Sequence, residues 1–273
     1  MRAPYLCLMA LLPLAACGAT AGSPERSAPP TEAPTGSAGS SAEIVLDFDH
    51  VTAEFGSVLP DVRNAGSARV RTEVTTANGG RVRLAPGAGD GGALRLPAYG
   101  GSPEAPSAAL LVWDTADALS PGERDFSFGA TFQLDEVSEG DPSDNGDNLM
   151  QRGLFADTAQ LKLQLDHGVP SCRVAGSDGA VVVAWPGPIE RGRWLAVRCT
   201  RVGGLLTLAV TDPVSGSPEG EERQERGDIG TVEFASDVPF AIGAKVLAGG
   251  ALPTSATDQF NGVIDDVFVA VPG

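Results

Sequence analysis

The chain has 273 residues, a formal net charge of −16, 42% hydrophobic residues and 5% aromatic ones. That charge argues against a nucleic-acid partner, which needs clustered lysine and arginine, and against electrostatic adhesion to anionic lipid. Lysine occurs only as Lys162 and Lys245, and no period of about 20 to 50 residues repeats, which sets aside solenoids and propellers.

The first element is a leader. Arg2 supplies a positive start, Leu6 to Leu14 an apolar middle, and Leu14-Ala15-Ala16-Cys17 small residues before a cysteine. The apolar run is about half the ~20 residues that a membrane-spanning helix needs. It resembles the lipobox of bacterial lipoproteins, whose cysteine carries a diacylglycerol thioether after cleavage. The resemblance implies that residues 1–17 are a signal peptide, and that lipid on Cys17 anchors an exported protein to the outer face of the cell membrane. An ordinary cleaved signal with a chance cysteine is the alternative.

Residues 18–42 are mostly Ser, Ala, Gly, Pro and Thr with almost nothing to bury, the composition of a flexible tether. Beyond it about 230 residues remain, which suits one large all-β domain or two small ones; with no second linker, one domain spanning 43–273 is expected. Cys7 leaves with the leader and Cys17 carries lipid, so Cys172 and Cys199 are expected to bond to each other in an oxidising compartment. A zinc site built with His50 and His167 lacks the usual ligand spacing, and a redox pair lacks Cys-x-x-Cys.

From Glu43 onward short apolar runs alternate with Gly, Pro, Asp and Asn, the pattern of strands and turns. Strands are predicted at 43–48, at 108–113 with both faces covered, and at 125–134, where Phe126, Phe128, Ala130, Phe132 and Leu134 share one face. The segment 160–166 repeats the alternation with Leu161, Leu163 and Leu165 inward. Further strands are predicted at 180–185, 194–200, 205–211, 231–234, 240–244 and 262–271. No stretch after the leader has helical periodicity. The fold class is therefore all-β, two antiparallel sheets packed face to face.

Three segments carry a family resemblance. Asp258-Gln259-Phe260-Asn261-Gly262-Val263-Ile264-Asp265-Asp266-Val267-Phe268-Val269 is similar to the closing strand of laminin-G-like (concanavalin A-like) jelly-roll domains. The stretch from Asn148 through Asp166, Cys172 and Trp194 to Cys199 is similar to the exported actinobacterial branch of that group. Phe48 to Gly66 matches its early loop at Asp61 and Gly66 and departs from it elsewhere. The resemblance implies a jelly-roll sandwich over 43–273. It spans lectin-like and adhesion modules and, more distantly, glucanases, so it leaves activity open.

It also implies a calcium ion as cofactor, held by Asp265, Asp61 and Asn64, with backbone oxygens and water completing six to eight ligands. The alternative reading is that Asp265 accepts backbone N–H bonds or pairs with arginine. Strand alternation sets Asp265 on the side of Val263, Val267 and Val269. The acidic run 135–148 does not follow EF-hand ligand order and reads as a solvated connection, as does 219–228.

Concanavalin A-like glucanases carry an E-x-D-x-x-(x)-E strand with two catalytic carboxylates. Here Gln133-Leu134-Asp135-Glu136-Val137-Ser138-Glu139 puts an amide at the nucleophile position, so the chain is not expected to be an enzyme of that class. No G-x-S-x-G or plausible triad is present. Trp113 and Trp194 are expected in the core. Trp185 and Tyr99, at strand ends beside Pro or Gly, and Gln133, on a wet face, are the candidate ligand-binding residues, with simple turn packing as the alternative for the aromatics. The function expected is a lipid-anchored, non-catalytic surface module that binds a glycan or a surface protein. The rivals are a glycan hydrolase and a purely structural envelope lipoprotein.

Overall fold

A computed structural model describes residues 41–138 and 146–273. Cys17 and most of the expected tether lie outside them, as does Glu139. The described residues form fifteen strands and one 3-10 turn, Ala248–Gly250, with no α-helix.

In chain order the strands are β1 (Ala42–Leu46), β2 (Val70–Ala77), β3 (Arg83–Pro86), β4 (Gly92–Arg95), β5 (Ser107–Asp114), β6 (Phe126–Leu134), β7 (Gly146–Arg152), β8 (Gln160–Asp166), β9 (Val169–Gly176) and β10 (Gly179–Ala184), then β11 (Trp194–Val202), β12 (Leu205–Thr211), β13 (Arg223–Arg226), β14 (Phe240–Ile242) and β15 (Gly262–Val271). An eight-stranded sheet runs β13-β12-β11-β6-β15-β4-β3, with β1 also on β15, and a seven-stranded sheet runs β10-β9-β8-β7-β14-β5-β2. Every strand pairing is antiparallel. This is the two-sheet antiparallel sandwich that alternation predicts, with the jelly-roll form that the family resemblance implies.

The core forms where inward faces meet. Phe126, Phe128, Ala130, Phe132 and Leu134 of β6 and Leu161, Leu163 and Leu165 of β8 all belong to the main buried cluster. The β8–β9 hairpin closes through His167 and Gly168, both at positive φ (52° and 77°), which a two-residue turn matched to strand twist requires. Cys172 in β9 and Cys199 in β11 are disulfide-bonded with Cα atoms 6.2 Å apart. Since β9 and β11 belong to opposite sheets, the bond staples the two layers together.

Four expectations need correction. Residues 231–234 form no strand, only an isolated bridge from Val232 to Gly122. The charged run 219–228 instead contributes β13, which extends the sheet because its side chains point to water on a solvated edge. Trp113 and Trp194 lie outside the main core. Trp113 joins a satellite cluster with Ala109 and Leu111 on the outer face of the seven-stranded sheet, and Trp194 one with Ala85, Ala93 and Val263 on the outer face of the other. The predicted side of Asp265 is displaced too. The β15–β6 register shifts between Asp265 and Phe268, and Asp266 takes φ 45°. The extra residue of such a bulge changes side-chain parity. Val267, Val269 and Val271 therefore enter the core while Val263 and Asp265 face outward.

Candidate functional site

Antiparallel pairing gathers the long connections at one end of the sandwich. Leu134 at the end of β6 pairs with Gly262 at the start of β15. Gln133 beside it pairs with Trp194 at the start of β11. The same end receives the β4–β5 connection with Tyr99, the β6–β7 connection with Glu136, the β10–β11 connection with Trp185 and Arg191, and the β14–β15 connection with Asn261. The chain enters at the other end, because Ala42 pairs with Val271, the last residue of β15.

Two hollows open at this rim, and Tyr99, Gly100 and Gly101 line both. One, of about 530 Å³, is lined further by Glu136, Val137, Arg191 and Asn261. The other, of about 210 Å³, is lined by uncharged residues that include Pro103, Pro106, Leu252 and Thr254. Asn261 is 8% exposed. Its carbonyl accepts the Asp135 N–H at 3.0 Å, while its side-chain amide makes no hydrogen bond to another described residue.

The loops that form these hollows are held by side-chain-to-backbone bonds. Asn78 Nδ2 donates to the Pro103 and Ala105 carbonyls at 2.8 and 3.2 Å. Gln259, buried, accepts the Ala108 N–H at 2.9 Å and donates to the Gly243 carbonyl at 2.8 Å. Gln133 Nε2 donates to the Gly192 carbonyl at 2.9 Å, beside Arg191. Asp147, at the start of β7, accepts the Ser138 N–H at 3.1 Å and the Ser138 hydroxyl at 2.5 Å. Burial pushes the Asp147 carboxyl up to about 6 against those bonds. Both lysines converge on Asp258, at 3.2 Å each, which anchors the segment leading to Asn261; burial holds the Lys162 ammonium below its ordinary pKa.

The three expected ligand-binding residues thus share one end with different roles. Tyr99 lines both hollows. Gln133 fixes the neighbouring loop. Trp185 packs partly against the core, and a side chain at Gly220 would touch its ring at 3.2 Å. Arg191, Glu136 and Asn261 were not singled out by sequence. Only Asn261 carried a signal, its place in the segment that opens the closing strand.

The expected calcium ligands do not form one donor set. Asn64 Oδ1 accepts the N–H groups of Val45 and Gly66 at 2.8 and 3.0 Å, and Nδ2 donates to the Gly66 and Ala68 carbonyls at 3.3 and 3.0 Å. Its amide is fully used in holding the chain against β1. Asp61 lines an open hollow with Asn64, Thr72 and Thr115. Asp265 belongs to another neighbourhood. It is 5% exposed and accepts the Asp266 N–H at 2.8 Å and the Ala88 N–H at 3.3 Å, the backbone-bonded alternative. Among the described residues no three of His, Cys, Asp and Glu gather as a metal-holding group.

Asp265 sits where β15 changes partner from β4 to β1, beneath the β3–β4 turn. A side chain at Gly87 would meet Asp265 Oδ2 at 2.6 Å and the Gly92 backbone oxygen at 2.8 Å, so one could fit only if the turn shifted. Burial, with the adjacent Asp266 and then Asp49 adding repulsion, pushes the Asp265 carboxyl up to about 7. The Asp266 carboxyl, though exposed, is raised too, chiefly by partial desolvation.

No family model matches the chain, and no curated protein matches it. Solved structures do. Domain 4 of AbnA, an extracellular arabinanase from Geobacillus stearothermophilus in complex with arabinotriose, aligns at TM-score 0.55 and 13% identity over 85% of this chain and 92% of that one. The botulinum neurotoxin serotype D/C binding domain aligns at TM-score 0.57 and 11% identity over 85% of this chain and 49% of that one. The LG1-3 region of the laminin alpha2 chain aligns at 0.41 and 14% over 53% of this chain and 26% of that one. The chain thus spans about half the toxin binding domain and about a quarter of the laminin region. With the sheet order above, the likenesses to the AbnA and toxin domains show that the chain has a two-sheet jelly-roll fold.

Proposed function

We propose that the chain is a non-catalytic binding module displayed outside the cell, with the loop-bearing end of the sandwich as its binding face and a glycan as its ligand class. The observation that carries this is Tyr99 standing between two hollows, one of which presents a guanidinium, a carboxylate and a free amide together. Loops already held by side-chain bonds lose little entropy on binding. The AbnA domain is described in complex with arabinotriose, and the toxin domain as a binding domain. Those descriptions support binding as the role of this shape.

The glucanase-like positions do not favour catalysis. The Gln133 amide is bonded to Gly192 and Asp135 is ion-paired with Arg95. Calcium enters this reading only as a question for titration, because Asn64 is spent on backbone. Lipid at Cys17, inferred from the leader, would tether the domain by the chain that enters at Ala42, at the end of the sandwich opposite the rim. The exported setting agrees with the disulfide.

Two experiments test the proposal. Binding of the full chain to immobilised bacterial and plant polysaccharides, lost on Tyr99→Ala, supports the glycan reading. Blank glycan surfaces together with cross-links from rim residues to a surface protein would replace the glycan by a protein partner. For the anchor, Cys17→Ser is expected to release the protein into the medium.

A further inference from the structure

We infer that the rim is a two-subsite cleft for a neutral oligosaccharide bearing vicinal hydroxyls, with Tyr99 as the partition between subsites. This rests on the reading of the rim as a glycan-binding face and names the class of glycan. The larger hollow brings Arg191, Glu136 and Asn261 to one space. Among the described residues neither Arg191 nor Glu136 is ion-paired. A guanidinium only donates, a carboxylate only accepts, and an amide does both. Adjacent hydroxyls both donate and accept, so one sugar ring satisfies all three groups. A charged sugar would be attracted by one of Arg191 and Glu136 and repelled by the other, and the net charge of −16 further opposes an anion.

The smaller hollow matches this. No charged side chain lines it, and proline, serine and threonine make up much of its wall. Because Tyr99, Gly100 and Gly101 belong to both walls, an occupant of both hollows passes over this segment, which calls for at least two linked sugars. The apolar face of a sugar stacks on such a ring while the hydroxyls reach the polar groups on either side. Gly100 and Gly101 keep the floor low, and Gly101 takes φ 62°, a conformation that side-chain-bearing residues rarely adopt.

The test is isothermal titration of the full chain with arabinotriose, xylotriose, cellotriose and maltotriose, their monosaccharides, and trigalacturonate. At least one neutral trisaccharide is expected to bind more tightly than its monosaccharide and than trigalacturonate. Tyr99→Ala and, separately, Arg191→Gln are expected to weaken it by about tenfold, with Tyr99→Phe retaining most affinity and showing that the loop still folds. Neutral binding untouched by both substitutions, or a preference for trigalacturonate, would overturn the cleft while leaving a glycan-binding module. Absence of binding to every sugar, with the rim cross-linked to a protein, would overturn the underlying glycan reading as well.

Discussion

Raising the pH from about 5 to about 7.5 is expected to destabilise the sandwich through Asp265, and to affect an Asp265→Asn variant much less. The carboxyl has an ordinary pKa of 3.8 and is pushed up to about 7 by burial and neighbouring carboxylates. As pH climbs, the unfolded chain loses this proton first. The folded state therefore binds the extra proton throughout the interval, and stability is highest below it, falls across it and levels off above it. At about 1.4 kcal/mol per pH unit, the part of that interval crossed here is worth about 2 to 3 kcal/mol. For a domain of this size the difference corresponds to about 5 to 10 °C in Tm. Asp147 shifts in the same direction, so the comparison with the Asn variant isolates Asp265. The assay is thermal unfolding by circular dichroism at several pH values, above the acid range where other carboxylates protonate. Parallel Tm curves for wild type and variant would refute the assignment of an uncompensated buried carboxylate at the bulge.

Other outcomes follow from the same contacts. Calcium in millimolar excess at neutral pH is expected to leave the Tm within about 1 °C; a rise abolished by Asp265→Asn would place a cation there after all. Replacing Cys172 and Cys199 together by alanine opens a link across 27 residues and is expected to cost about 3 to 4 kcal/mol in urea unfolding. Arg152 is buried, with its guanidinium 4.4 Å from the Phe234 ring, bonded to the Val238 carbonyl at 3.0 Å, and near Asp114. Arg152→Ala is expected to cost about 3 to 5 kcal/mol, and Arg152→Met less, because the apolar stem still fills the space.

Strands whose apolar side chains recur at every second residue were legible, because that period marks a single core-facing side. The run 126–134 announced its own inner face, and 160–166 was found to the residue. Strand β2 hid because most of its residues are only half-buried, so threonine occurs on both sides, at Thr72 and Thr76 on one and Thr75 on the other, without alternation. Strand β7 hid for the opposite reason. All seven of its residues are buried, yet Asp147, Asn148, Gln151 and Arg152 are polar, so burial on both faces left neither an apolar run nor an alternation. The bulge at Asp265 left no mark in composition, and one inserted residue was enough to turn a predicted inward carboxylate outward.

The rim divides in the same way. Tyr99 stood out because an aromatic beside two glycines can expose its ring. Arg191, Glu136 and Asn261 come from three separate connections, and only sheet register brings them together. Asn64 occupies an early-loop position that suggests a metal ligand, and its amide binds four backbone groups at a crossing of two segments.

The placement of Ala42 at the far end from Tyr99 has a mechanical consequence. A pull between a captured ligand and the incoming chain runs along the strand axes. Interstrand hydrogen bonds lie across that axis, so whole ladders between β1, β15 and β6 must slide at once rather than unzip bond by bond. A domain gripped this way resists flow and drag better than one tugged at right angles to its strands.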